Sequence, residues 1–187
     1  MATTTTAFWA LFLAGAAGHV DVLAAAAGRV VVHVADYQGV EPRELTEAEQ
    51  FATDVYARIG VPLDWTGGNA GLAAPDGLLH VDLIILNAQM TAQHGTDPSA
   101  FGLASHRTRR AYVYYPRIAG YSAATRSYPA RALAMVMAHE LGHVLLPEHS
   151  HAKSGLMQAT WSGQIRRIPA FLPSQAETIR SMVETWR

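Results

Sequence analysis

Residues 139–157 read HELGHVLLPEHSHAKSGLM, and the rest of the chain serves as the frame that holds them. His139 and His143 are four residues apart. On a helix that interval stacks two side chains on one face, about one turn apart, so two imidazoles can share one metal ion. Glu140 follows the first histidine and projects about 100° further round the helix. It can reach a water on the ion without being a ligand itself. A third protein ligand is needed, because a catalytic zinc usually takes three and keeps one position open. His149 lies six residues beyond His143, too far along for a straight helix, so the chain has to turn back before it. Pro147 helps by disfavouring helical backbone at Leu146. His139, His143 and His149 are therefore the expected ligands, with His151 as the alternative third.

H-E-x-x-H is an arrangement of zinc hydrolases. Together with the later histidine and Gly155-Leu156-Met157, the stretch resembles the metzincin metalloproteases, whose pattern is H-E-x-x-H-x-x-G-x-x-H followed by a methionine turn. The interval from His149 to Met157 is most similar to the matrixin branch. The resemblance implies an α+β catalytic domain of zincin type. Such a domain has a small, mixed, twisted sheet with an antiparallel edge strand, an active-site helix and a C-terminal helix. It implies one catalytic Zn2+ on His139, His143 and His149, and an endopeptidase in which Glu140, as general base, takes a proton from a zinc-activated water. The pattern's glycine falls on Leu146. Glycine is favoured where a helix ends in a left-handed residue, a conformation that costs other residues about 1–2 kcal/mol. Some metzincins use a tyrosine ligand two residues after the methionine, but Ala159 stands there, which again fits the matrixin branch.

The 187 residues are enough for one domain with a proper core. Half are hydrophobic and 16% are charged, which marks a globular chain. The net charge is −1, and Lys153 is the only lysine among fourteen cations, so nothing points to nucleic acid. With no cysteine, no disulfide forms, and the cysteine of a matrixin pro-segment has no counterpart.

Residues 1–27 read as a secretory signal: an apolar run over 7–18, too short to span a membrane, then small residues over 24–27. The basic start usual in such signals is missing. The expectation is a secreted or periplasmic protein, with one catalytic domain over 28–187 and no stable membrane insertion. If cleavage falls near Ala26 or Ala27, the mature chain starts just before the strand residues that begin at Val30, and no room for a pro-segment is expected. Restraint would then come from a separate inhibitor protein, if from anything.

Residues 46–59 have the spacing of an amphipathic helix, with Thr46 and Glu49 as a capping box. Strands are expected over 30–34, 61–65 and 78–86, the last apolar on both faces and so central. Residues 87–106 read as a long loop holding His94, Asp97 and His106, whose spacing matches no ligand pattern and favours surface roles over a second, structural metal. RAYVYYP, residues 110–116, is aromatic, β-branched and strand-like. The resemblance implies that it is the antiparallel edge strand beside the cleft, where an extended peptide could add, and a plain core strand is the alternative. Pro129 opens the active-site helix, with Ser127 or Tyr128 as cap. Trp161, Arg166 and Arg167 follow the methionine, and Ser174 caps a last helix with Glu177. Two other functions fit parts of this pattern. One is a catalytically idle zinc-binding domain that docks peptides or a partner on its edge strand, though an intact Glu140 argues against it. The other is a different zinc hydrolase whose third ligand is a carboxylate, for which Glu177 is best placed.

Overall fold

The computed structural model describes residues 28–68, 77–95 and 97–186. The signal expected over residues 1–27 lies outside the described residues. A five-stranded sheet carries the site. Its strands are β1 (Val30–Asp36), β2 (Leu63–Gly67), β3 (Leu79–Leu86), β4 (Gly102–Ser105) and β5 (Arg110–Tyr114), in the spatial order β2-β1-β3-β5-β4. The first four positions of that order pair in parallel, and β4 pairs antiparallel to β5 at the edge. The expected mixed α+β layout with an antiparallel edge strand is therefore present.

The edge strand is not the expected one. RAYVY is β5, an inner strand hydrogen-bonded on both sides, and the edge is GLAS, from within the expected loop. Four residues are too few to show a period, and Gly102, Ala104 and Ser105 carry little strand propensity. The same loop also holds helix α2 (Ala88–His94), capped by Asn87, whose side chain accepts from the Met90 N–H at 3.0 Å.

Five helices complete the described chain: α1 (Pro42–Ala57), α2, α3 (Tyr115–Thr125), α4 (Pro129–Leu145) and α5 (Pro173–Thr185). α1 starts four residues before the expected Thr46, because Glu41 caps it and Pro42 sits in its first turn. The Thr46 hydroxyl instead donates back to the Pro42 carbonyl. Pro116, read as the end of a strand, opens α3.

α4 is the axis of the fold. Fourteen of its 17 residues are buried, as expected of a helix that is apolar all round. It packs on α1, on α3 and on the strands β3, β4 and β5. Val30, Val32, Val34, Leu79, Val81, Leu83, Ile85, Ala111 and Val113 alternate along three strands and form the core with it. The Tyr56 hydroxyl of α1 donates to the Ala138 carbonyl at 3.0 Å, which pins α4 one residue before His139. Neither Ser127 nor Tyr128 caps α4 through its side chain. β3 is buried on one face, while His80 and Ile84 on the other are half-buried beside a buried Asp82. No described helix is long and apolar enough to cross a membrane.

Candidate metal centre

The last two turns of α4 bring His139 and His143 together as their spacing requires. Their Nε2 atoms are 3.0 Å apart. The Nδ1–H of His139 donates to the Leu156 carbonyl at 2.9 Å, and a carbonyl can only accept. In the neutral ring the proton is therefore on Nδ1, and Nε2 presents a lone pair. His143 places Nδ1 3.0 Å from the Ser150 hydroxyl, which leaves its Nε2 free for the same point in space.

The third imidazole is His151, not His149. His151 Nε2 lies 3.0 Å from His143 Nε2, and the ligand atoms of His139, His143 and His151 all fall within 4.8 Å of one another. His149 lines the cleft outside this group. The reason lies in where the chain reverses. α4 ends at Leu146 in an extended conformation (φ −105°, ψ 157°), not the left-handed one that the glycine of the pattern would allow. The left-handed residue is His149, at φ 62°. A turn that comes three residues late returns the next histidine but one to the helix. Ala152 N–H then donates to the Met157 carbonyl at 2.8 Å, closing the loop behind His151.

Nearby packing has little slack. A Cβ on Gly142 would come within 2.5 Å of the Met157 sulfur, so this helix position has room only for glycine while Met157 fills the space. Gly155 turns at φ +82°, where an L side chain is strained, and a Cβ there would meet the Ala170 carbonyl at 2.9 Å.

The donor set suits zinc. Three nitrogens bonded to a tetrahedral Zn2+ at about 2.0–2.1 Å would sit about 3.3 Å from one another, close to the 3.0 Å that separates His143 Nε2 from each of the other two. Burial keeps the rings of His139 and His143 neutral, which ligation requires. It lowers the His139 pKa to about 4, and it lowers that of His143 to about 3 with help from the neighbouring His139 and His151. The Glu140 carboxyl is 5% exposed, and burial alone pushes its pKa up to about 8. A group so displaced in a cleft is a functional candidate.

Glu140 is held by the edge strand. A Cβ on Gly102 would lie 2.6 Å from both Glu140 Cγ and Glu140 Oε1, and equally close to the Tyr112 carbonyl. Gly102 has no positive φ, so space and not backbone freedom calls for glycine here. The sequence pattern could not show this, since only the fold brings residues 102 and 140 together. β4, Glu140 and the histidines line one cleft of about 790 Å³. The cleft is continued by Trp161, whose ring meets His139 edge-on at 4.9 Å and stacks on Phe101 at 6.1 Å. The Trp161 indole nitrogen is buried with no hydrogen-bond partner.

The other candidates take no part in the histidine group, although Asp97 and His106 line the same cleft. His106 Nδ1 donates to the Val144 carbonyl at 2.6 Å, His94 stacks on Tyr112, and Asp97 accepts from Ser99. Glu177 lies on α5 and takes no part in the histidine group. α5 starts at Pro173, and Gln175, not Ser174, supplies the side chain at its first turn: Gln175 Oε1 accepts from the Leu172 N–H at 3.1 Å.

No protein-family model matches the chain, and no curated protein does. Among solved structures, the fold is similar to that of archaemetzincin from Methanopyrus kandleri, with a TM-score of 0.53 and 16% identity, covering 85% of this chain and 97% of that one. A zinc-dependent peptidase from Methanocorpusculum labreanum aligns more loosely, with a TM-score of 0.42 and 12% identity over 82% of this chain and 99% of its own. The chain thus has a zincin-like fold shared with archaemetzincin.

Proposed function

We propose that this protein is a zinc-dependent peptidase, with His139, His143 and His151 as ligands and Glu140 as general base. The observation that carries the proposal is the convergence of three Nε2 atoms beside a buried carboxylate, in a cleft walled by a sheet edge. A zinc ion held there would supply a Lewis acid that acidifies its water and polarises a carbonyl. The chain's own residues do the rest. No further strand pairs with β4 among the described residues, so an extended peptide can add to it through backbone hydrogen bonds. Leu103, 52% exposed on that strand, offers apolar contact. Glu140 takes the proton of the attacking water on a carboxylate oxygen and passes it to the leaving amine.

The matrixin branch does not follow. That assignment counts from His149 to Met157, and from His151 the interval is six residues. We also propose export, on the leader-like composition of residues 1–27; N-terminal sequencing of secreted material would test it.

The deciding experiment is a peptide-library digest with and without chelator, beside zinc analysis of the purified protein. About one zinc per chain and chelator-sensitive cleavage are expected. Protein that takes up no zinc from replete medium would overturn the proposal. Zinc without cleavage of any peptide would leave a docking domain.

A further inference from the structure

The late turn that delivers His151 is not held by its own sequence alone. Ser150 sits between the left-handed His149 and the ring of His151, and its hydroxyl and carbonyl are both engaged. Its hydroxyl meets His143 Nδ1 at 3.0 Å. Its carbonyl accepts from Gln175 Nε2 at 3.0 Å, 25 residues further along the chain. The other end of that amide, Oε1, accepts from the Leu172 N–H at 3.1 Å, in the first turn of α5. One amide therefore ties the start of α5 to the metal-site turn, and Ser150 passes that tie to a ligand ring.

We infer that Gln175 is a positioning residue for the metal centre, holding Ser150 so that His143 and His151 face one ion. This rests on the zinc reading above and adds what fixes the turn. The physical case is the mismatch between task and local means. The turn ends on a non-glycine left-handed residue, a conformation that is uncommon and has to be over-determined by its surroundings. A ligand imidazole also needs its second nitrogen bonded if the ring is to be held in orientation. His139 obtains this from a backbone carbonyl, whereas His143 depends on a hydroxyl whose place is set by Gln175.

The amide's two ends can be separated by substitution. Gln175→Glu keeps an acceptor for Leu172 N–H and adds a negative charge to the first turn of α5, which the helix dipole favours. It removes the donor to the Ser150 carbonyl and sets an oxygen against an oxygen. Zinc affinity is measured by competition with a chromogenic chelator, and ligand geometry by the visible spectrum of the Co2+-substituted full chain. Wild type should bind one ion; if it binds none, the zinc reading fails and not this inference alone. Gln175→Glu and Ser150→Ala should each weaken Zn2+ by about 10–100-fold and alter the Co2+ spectrum. The thermal midpoint of metal-free Gln175→Glu should stay within a few degrees of that of wild type, because the favourable charge at the helix start offsets the lost bond to Ser150. Wild-type zinc affinity in Gln175→Glu, or an affinity loss matched by loss of metal-free stability, would overturn the inference.

Discussion

The helical and the looped halves of the site hold their residues by different means. His139, Glu140 and His143 owe their relation to backbone hydrogen bonds within α4, which fix the angle and rise between them whatever surrounds the helix. Burial and the Tyr56 brace only set where that rigid unit stands. His151 has no such rule. Its place depends on a left-handed residue, on Ser150 and Gln175, on a loop closed by Ala152 and Met157, and on the Leu156 N–H donating to the Ala170 carbonyl. A ligand pair on a helix is a local property, whereas a ligand on a loop is a property of the whole fold.

The largest effects should follow from damage to the helical half. His139→Ala removes a buried member of the proposed ligand set, and zinc content should fall from about one per chain to near zero. Glu140→Ala should leave zinc in place and cut peptide cleavage by about 10²–10⁴-fold, the range for losing a general acid–base group. Zinc analysis and cleavage rates on the same samples separate the two roles. If Glu140→Ala lost the metal as His139→Ala does, the division between ligand and base would be wrong.

The looped half is tested by ranking its two histidines. His151→Ala should weaken zinc by more than the roughly 100-fold that loss of an outer partner costs. His149→Ala should stay within a few-fold of wild type, measured by chelator competition. The reverse ranking would return the third ligand to His149 and with it the spacing of the metzincin pattern.

Legibility in the sequence divides along the same line. The i, i+4 histidines, the buried helix around them, most of the strands and the C-terminal helix could be read from residue spacing, because each is a local periodic signal. The choice between His149 and His151 could not, because it turns on which residue takes the left-handed conformation. Leu146 holds the position of the pattern's glycine, and it declines that role by leaving the helix extended. The edge strand was displaced for a related reason. Arg110–Tyr114 is aromatic and β-branched and so stands out, while Gly102–Ser105 is small and short, yet pairing order and not propensity settles which strand is outermost.

Gly102 joins the helical half to the sheet edge and gives a test of intermediate size. Gly102→Ala should leave zinc bound and lower kcat by roughly 10–100-fold with little change in KM, because the added methyl displaces the Glu140 carboxylate. The same methyl also crowds the Tyr112 carbonyl, so loss of stability by itself is uninformative. A double-mutant cycle resolves the two contacts. Glu140→Ala removes Cγ and Oε1, so Gly102→Ala should cost less thermal stability in that background than in wild type. Equal costs would mean that residue 102 does not bear on the base.

The smallest effect is electrostatic and confined to the helical half. In the chelator-stripped protein Glu140 titrates near 8 when folded, because burial penalises its charged form, against about 4.3 for a glutamate in an unfolded chain. Between those values the unfolded chain has lost its proton and the folded one still holds it. Stability contributed by the protonated carboxyl is therefore full below about pH 4 and declines as pH rises through about 8. Glu140→Gln has no such titration, and the histidines are common to both proteins, so their contributions largely cancel in the difference. Metal-free Glu140→Gln should thus gain on metal-free wild type by several degrees in Tm between pH 5 and pH 8, and very little below that window. A constant difference across the range would mean that the carboxyl is ionised in the folded protein even without zinc, already primed to take a proton before any metal is bound.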